Sequence, residues 1–145
     1  MARSRTIIYV DGFNLYYGSL RNTPYKWVDL QVLFKNILPR DNIVKIRYFT
    51  ALVSGRPHDL EIPQRQKIYL RALRTIPNLE IKQGLYLSSI KSMPLAEPSV
   101  NGPFTVKVIR TEEKGTDVNI ASYLLWDAFQ DSFDTAVVVS NDSDL

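Results

Sequence analysis

Four aspartates in this sequence stand where metal-binding carboxylates are expected. Asp11 follows a β-branched apolar run, and Asp117 begins a stretch with helical periodicity. Asp142 and Asp144 follow a second apolar run. Hard divalent cations prefer oxygen ligands, and neighbouring carboxylates repel one another until a cation neutralises them. We therefore expect Mg²⁺ or Mn²⁺ at these residues, with attack of a metal-activated water on phosphorus as the chemistry.

The composition narrows the kind of metal site. The 145-residue chain has no cysteine and one histidine, His58, which excludes a thiolate site and a multi-histidine zinc site. Of the 18 basic side chains, 17 lie before residue 111, whereas eight of the 15 acidic ones lie after residue 110. An acidic cluster within a basic domain is typical of a metal site for a polyanion, although charge blocks also occur on ordinary solvated surfaces.

The length and the 45% hydrophobic content are those of one domain with its own core. The apolar runs are much shorter than the roughly 20 residues that span a bilayer. The first residues do not combine a basic region, a long apolar run and a cleavage site, as a secretory signal would. We therefore expect a cytoplasmic protein with no membrane partner.

The elements that must position the aspartates alternate between strands and helices. Apolar runs predict strands over residues 6–10, 43–52, 79–87 and 135–139, and the helical patterns cover 29–38, 63–76 and 116–129. This alternation indicates a three-layer α/β fold with a mostly parallel central sheet. Residues 88–103 contain three prolines and predict an exposed loop, followed by a short edge strand over 104–109.

The expected strand order brings the aspartates to one edge of the sheet. In parallel α/β sheets the functional crevice lies beyond the carboxyl ends of the strands, where chain order reverses. The first and last strands are natural neighbours at that point, so Asp11 should lie beside Asp142 and Asp144. Three nearby polar side chains could orient ligands or water through hydrogen bonds: Asn14, Ser140 and Asn141.

The helix over 116–129 is predicted to deliver the remaining carboxylate. At about 100° per residue, Asp117 shares a side of the helix with an apolar stripe and is expected to face inward. The members of that stripe are Ile120, Ala121, Leu124 and Ala128. A helix that leads into a parallel strand starts at the edge where strands end, so Asp117 should share the edge of Asp11. Each aspartate alone could equally serve a turn or a helix cap.

A second set of residues indicates contact with RNA. On the helix predicted over 63–76, basic side chains share one face and apolar side chains share the opposite face. These basic side chains, together with one arginine from the preceding loop, could contact a nucleic-acid backbone, or they could form an ordinary solvated surface. The four residues are Lys67, Arg71, Arg74 and Arg56. Tyrosines after the first strand could stack on bases, although packing is their commoner role: Tyr16, Tyr17 and Tyr25.

Three blocks of the sequence resemble the NYN domains, a PIN-like branch of metal-dependent ribonucleases, and within them the LabA-like proteins. The blocks are Tyr-Val-Asp-Gly-Phe-Asn at 9–14, Lys-Gly-Thr-Asp-Val at 114–118 and Val-Ser-Asn-Asp-Ser-Asp-Leu at 139–145. The resemblance implies a Rossmann-like PIN core, a Mg²⁺ or Mn²⁺ site and RNA cleavage. Carried over position by position, it assigns metal binding to Asp11, Asp117, Asp142 and Asp144.

The resemblance also carries an expectation about the end of the domain. NYN domains normally continue past the third block with a helix and at least one more strand. We therefore expect residues 1–145 to be a single NYN domain that lacks this final part. The sheet edge beside the last strand would then be open, and a second copy of the chain or another partner would cover it.

Two other functions remain open at this point. A non-catalytic RNA-binding or regulatory module would keep the fold with an incomplete nuclease site. A phosphatase with an aspartyl nucleophile after the first strand agrees less well with the sequence. Such enzymes usually need a second acid two residues after the nucleophile, and that position is Phe13.

Overall fold

Five strands form one sheet in the order β4-β3-β2-β1-β5. The computed structural model describes residues 3–98 and 100–141. The strands are β1 (Arg5–Asp11), β2 (Asn42–Ala51), β3 (Leu79–Pro94), β4 (Thr105–Lys114) and β5 (Thr135–Val139). Among the pairings of these five strands, as far as the described residues show them, only that of β3 with β4 is antiparallel. The predicted α/β fold with a mostly parallel sheet is confirmed.

Helices cover both faces of this sheet. They are α1 (Gly12–Leu15), which continues as a π-helical turn over Tyr16–Leu20, α2 (Leu30–Ile37), α3 (Ile62–Leu73) and α4 (Thr116–Phe129). The three longer helices match the predicted ones to within three residues at each end. Helix α1 was not predicted, because Asp-Gly after an apolar run is also typical of a turn. Within the described parts of the chain, no helix is long and apolar enough to cross a membrane.

Strand β1 is the centre of the core and is buried on both faces. Ile8 and Val10 pack with side chains of α2 and α3, such as Phe34 and Leu70, in one cluster. Ile7 and Tyr9 point to the opposite face, where they pack with Phe49 and with Ile120 of α4. This alternation along one strand produces the three predicted layers, because successive side chains of a strand point to opposite faces.

The predicted loop over 88–103 is wrong for its first part. Strand β3 continues to Pro94 and pairs with β4 from Leu85 opposite Lys114 to Pro94 opposite Thr105. Strand β4 is also longer than the predicted edge strand. Ile90 and Ile109 face each other in this ribbon and are 72% and 78% exposed, so backbone pairing rather than burial holds it. Residues 88–94 and 110–114 of the ribbon, which were not predicted as strand, lack the apolar periodicity by which a sequence indicates one.

A buried ion pair joins the sheet to α4. Arg47 of β2 donates to Asp127 of α4 from Nε to Oδ2 at 2.7 Å and from Nη2 to Oδ1 at 2.6 Å. The hydroxyl of Tyr9 on β1 donates to the same carboxylate at 2.8 Å. Burial would raise the pKa of Asp127, but hydrogen bonds from Arg47 and Tyr9 outweigh this effect and keep the pKa below 3.8.

Arg47 extends this network across the sheet. Its guanidinium forms an ion pair with Glu80 of β3 and lies 4.7 Å from the centroid of the Tyr123 ring on α4. Lys82 of β3 lies at the same distance from that ring. A single arginine thus connects three strands to the helix, and its charge is compensated on two sides as burial requires.

The variant Asp127→Ala should be strongly destabilised, because it leaves the Arg47 guanidinium buried without its main partner. We expect the free energy of unfolding in urea to fall by roughly 3–5 kcal/mol. The matched control is Glu61→Ala, which removes an exposed ion pair with Arg65 and should cost less than about 1 kcal/mol. Equal losses in the two variants would contradict a structural role for the buried pair.

A second ion pair, at the amino edge of the sheet, makes stability depend on pH. The side chain and backbone N–H of Arg5 donate to Asp134, and these bonds lower the pKa of Asp134 from 3.8 to about 2. A carboxylate with a lowered folded pKa stabilises fully above its ordinary pKa and loses that contribution as pH falls through the folded value. The urea midpoints of wild type and Asp134→Asn should therefore differ above pH 3.8 and converge towards about pH 2. A difference that stays constant with pH would exclude this linkage.

Candidate active site

The carboxyl ends of β1 and β5 bring three of the predicted site residues together. These strands are parallel neighbours, with Val10 opposite Val139, so Asp11 and Ser140 follow side by side. Asp11 accepts hydrogen bonds from the backbone N–H of Asn14 at 2.9 Å and from its Nδ2 at 3.0 Å. The same Nδ2 donates to the hydroxyl of Ser140 at 3.1 Å. The predicted adjacency of the first and last strands is confirmed.

Local structure explains why Asp11 is held in this position. Its carboxylate caps the first turn of α1, and an aspartate is among the best residues for that role. The next residue, Gly12, lies against Tyr48 and the backbone of β2. A Cβ at Gly12 would collide with the ring of Tyr48 and lie 2.9 Å from the carbonyl oxygen of Phe49. The chain can therefore turn from β1 into α1 only because this residue has no side chain.

Helix α4 begins at the same edge of the sheet as Asp11. Past its C-terminal end, Asp131 and Asp134 bind Arg5 at the start of β1, while Asp127 binds Tyr9 further along that strand. The helix thus runs antiparallel to β1, and its first turn lies towards the carboxyl end of the strand. Gly115 precedes this turn with a φ of 95°, a left-handed conformation that glycine adopts without strain.

The prediction that Asp117 faces inward is wrong. Asp117 is exposed, as is Ala121 of the proposed stripe, and so is Ala128. The side chains of α4 that turn towards the sheet are Thr116, Ile120, Tyr123, Leu124 and Asp127. The inward face of α4 is rotated about the helix axis relative to the predicted stripe, because the buried ion pair with Arg47 turns Asp127 inward. The sequence did not indicate this, since an aspartate in a helix normally lies at the surface. Asp117 therefore lies at the solvent side of the edge, where a ligand could reach it.

Two of the four predicted metal ligands, Asp142 and Asp144, lie outside the described residues. Asn141 is described and is exposed directly after β5. Within residues 3–98 and 100–141, no group of three histidine, cysteine, aspartate or glutamate side chains is close enough to hold a metal ion. The ligand roles of all four aspartates remain a prediction.

The donors at this edge nevertheless suit a hard cation. Asp11 and Asp117 supply carboxylate oxygens, and Asn14 and Ser140 supply neutral polar groups, which is the ligand chemistry of Mg²⁺ or Mn²⁺. Thr116, next to Asp117, has a buried hydroxyl with no hydrogen-bond partner among the described residues. Buried polar groups are usually satisfied, so this hydroxyl is consistent with a further polar group at the edge.

An open cleft of about 800 Å³ starts at Gly12, beside Asp11. Its walls are the segment after β1, the end of β2, the following loop and α3. Burial raises the pKa of the Tyr48 hydroxyl in this wall, and the neighbouring Tyr69 and the charge of Asp11 act in the same direction. The charge of Asp11 therefore acts on one residue in the wall of the cleft.

Aromatic and basic side chains dominate the lining of the cleft. The aromatic ones are Phe13, Tyr16, Tyr17, Trp27, Tyr48, Tyr69 and Tyr86. Among the described lining residues, four are arginine or lysine, one is histidine and one is acidic: Arg21, Lys26, Arg56, Arg65, His58 and Asp59. The aromatic residues after β1 were a visible signal in the sequence. The sequence did not indicate that residues of β2, α3 and β3 also line the cleft, because these segments are far apart in the chain.

The predicted RNA-binding residues are divided between two surfaces. Arg56 lines the cleft, whereas Lys67, Arg71 and Arg74 are on α3 and at its end, outside the cleft. The predicted separation of a basic face from an apolar face on this helix is confirmed, since the three basic side chains are exposed whereas Leu73 and Ile76 are buried. Contact of either surface with RNA remains a prediction.

Comparison with known proteins places the chain in a family. A family model described as NYN domain matches residues 5–145. The protein 6-hydroxy-3-succinoylpyridine 3-monooxygenase HspA of Pseudomonas putida is 36% identical over 165 residues, which cover 97% of this chain and 53% of that protein. The chain thus spans about half the length of this relative. No solved structure gives a significant match.

The close contact at Gly12 can be tested with a matched pair of glycines. In Gly12→Ala the new methyl group would collide with Tyr48 and with backbone, so we expect a clear loss of stability and a displaced Asp11. A methyl group at Gly18 would meet nothing within 4 Å, and Gly18→Ala should be neutral or stabilising by up to about 1 kcal/mol. Urea denaturation of both variants measures the difference. Similar stabilities would show that the β1–α1 turn tolerates a side chain.

Proposed function

The chain belongs to the NYN family, a PIN-like nuclease family, and from this premise we propose that it is a metal-dependent ribonuclease that hydrolyses RNA phosphodiester bonds. Its proposed metal ligands are Asp11, Asp117, Asp142 and Asp144, with Asn14, Ser140 and Asn141 in supporting positions. The proposed ion is Mg²⁺ or Mn²⁺. The observation that carries the proposal is the hydrogen-bonded contact of Asp11 with Asn14, and of Asn14 with Ser140, across the ends of β1 and β5.

The chain's own residues would prepare the site for hydrolysis. Asn14 donates to both oxygens of Asp11 and so sets the orientation of that carboxylate. In the reaction, a water oxygen bonds to phosphorus and the bond from phosphorus to a ribose oxygen breaks, with a proton passing to the leaving oxygen. When bound, the ion would activate this water and offset the charge that develops on the phosphate.

Basic side chains would bring the RNA backbone to this edge. Arg56 in the cleft and the basic face of Lys67, Arg71 and Arg74 are the proposed contacts. Because each cation that neutralises a phosphate releases counterions, RNA affinity should fall as salt concentration rises. A cytoplasmic location remains part of the proposal. A second copy of the chain, or another partner, is proposed along β5, which lies at the edge of the described sheet.

The variant Asp11→Asn tests the proposed reaction. Asparagine still caps α1 but lacks the charge that would hold the cation, so the fold should persist while cleavage is lost. We expect wild type to cut labelled single-stranded RNA with Mg²⁺ or Mn²⁺ and to stop when EDTA is added. The control, Asp131→Asn, lies at the opposite edge of the sheet, and asparagine tolerates the positive φ there, so this variant should cut like wild type.

The outcome also separates catalysis from simple binding. Cleavage that persists in Asp11→Asn would exclude the proposed site. RNA binding without cleavage by wild type, with either metal, would instead favour the non-catalytic RNA-binding module.

A second candidate function is the conversion of a small heteroaromatic acid. The name of the Pseudomonas putida relative and the aromatic, cationic cleft beside Asp11 both favour it. A monooxygenation transfers one atom of dioxygen to the ring and reduces the other to water with two electrons from a donor. Incubation with 6-hydroxy-3-succinoylpyridine, dioxygen and a reduced nicotinamide or flavin tests it, with a hydroxylated product as the supporting result and unchanged substrate as the contrary one.

A further inference from the structure

The lining of the cleft beside Asp11 differs in chemistry from the proposed metal site. Its lining is rich in aromatic rings and basic side chains, although it starts one residue after a proposed metal ligand. Its volume of about 800 Å³ is in the range of ordinary ligand pockets. A ligand that suits this lining has a planar ring and carries negative charge.

Three aromatic rings of the cleft lie close together and form a stacking surface. The centroid of the Phe13 ring lies 4.4 Å from that of Tyr17 and 6.3 Å from that of Tyr86. Phe13 is 40% exposed although it follows the buried pair Asp11 and Gly12, so part of its ring is open to a ligand. Every nucleobase has an aromatic face, so such a surface binds bases with little regard to sequence.

The basic groups of the cleft lie around this stacking surface and are held by their own contacts. The guanidinium of Arg21 lies 5.3 Å from the centroid of the Tyr17 ring. Backbone hydrogen bonds in both directions between Arg56 and Asp59 close a tight turn, and Arg65 of α3 pairs with the side chain of Asp59. The loop that carries Arg56 is thereby fixed to α3. Guanidinium groups are well suited to phosphate because they donate two parallel hydrogen bonds.

We propose that this cleft binds one unstacked nucleotide of an RNA strand, with its base against Phe13 and Tyr17 and its phosphate at Arg21 and Arg56. The proposal rests on the proposed nuclease function and names its substrate class as single-stranded RNA. A paired base is stacked within a helix and cannot enter, whereas an unpaired base can. The neighbouring phosphate would then lie towards Asp11. A free aromatic acid shares the same chemistry, and titration with nicotinate distinguishes it from a nucleotide of RNA.

Binding can be measured separately from cleavage through Trp27, which lines the cleft. The second tryptophan, Trp126, lies on α4, so Trp126→Phe leaves Trp27 as the fluorescent reporter. Titrations use Asp11→Asn in EDTA, with a short single-stranded RNA, adenosine monophosphate, adenosine, ribose 5-phosphate and nicotinate as ligands. We expect the RNA and adenosine monophosphate to change Trp27 fluorescence, and ribose 5-phosphate, which has no base, to have no effect.

Substitutions identify the stacking surface. Phe13→Ala should weaken binding of the RNA and of adenosine monophosphate on the order of 10- to 100-fold. Phe129→Ala is the matched control, since it removes an exposed aromatic ring at the last residue of α4 and should leave affinity unchanged. Arg56→Ala is the second cleft variant. It should weaken adenosine monophosphate but not adenosine, which tests the phosphate contact even if Phe13→Ala does not fold.

The outcomes separate this inference from the nuclease proposal. Equal RNA affinity in Phe13→Ala and Phe129→Ala, or binding of nicotinate without adenosine monophosphate, would overturn the nucleotide site. If wild type cuts RNA and Phe13→Ala binds and cuts it equally well, the nucleotide site is excluded and the nuclease proposal stands. If no metal supports cleavage but the cleft binds the RNA through Phe13, the nuclease proposal fails and the nucleotide site remains.

Discussion

The buried contact between Arg47 and Asp127 is the constraint on which the arrangement of this domain depends. A charge inside a core must be paired, because an unpaired one costs several kcal/mol. Arg47 points from the middle of the sheet towards the layer of α4, and Tyr9 adds a hydrogen bond to the same carboxylate. Asp127 must therefore face the sheet, and this requirement sets the rotation of α4 about its axis.

The rotation of α4 determines how the candidate site is presented. Thr116, Ile120 and Tyr123 share the inward face with Asp127, since they precede it at helical spacing. Asp117 is consequently exposed at the edge where β1 and β5 end. The segment after α4 binds Arg5 at the amino end of β1. The two ends of this helix therefore lie at the opposite ends of the strands. One helix thus supports structure at one end and supplies a candidate ligand at the other.

The site and the cleft meet at Gly12, and this meeting point bears on function. Asp11 before it contacts Asn14, and Phe13 after it belongs to the stacking surface. Tyr48 lies against Gly12 in the wall of the cleft. A carboxylate edge beside an aromatic and basic pocket can serve more than one chemistry, and one relative of this chain bears the name of a monooxygenase. A shared fold therefore does not settle the reaction, which depends on the residues at the site.

Local patterns were enough to predict the framework of the fold, whereas contacts between distant segments decided the rest. The apolar run before Asp11, the run over Thr135–Val139 and the helical spacing after Gly115 each depend on neighbouring residues, so strands and helices followed from them. Residues 88–94 and 110–114 of the paired β3–β4 ribbon have no apolar period, so the full extent of its backbone pairing could not be predicted. The inward turn of Asp127 depends on an arginine 80 residues away, and the contact between Asn14 and Ser140 spans 126 residues. The sequence by itself thus determined which elements form, which family the motif blocks indicate and which residue types are available. Only the tertiary structure decided which faces are buried and which side chains meet, because burial and pairing of charges are properties of the packed chain.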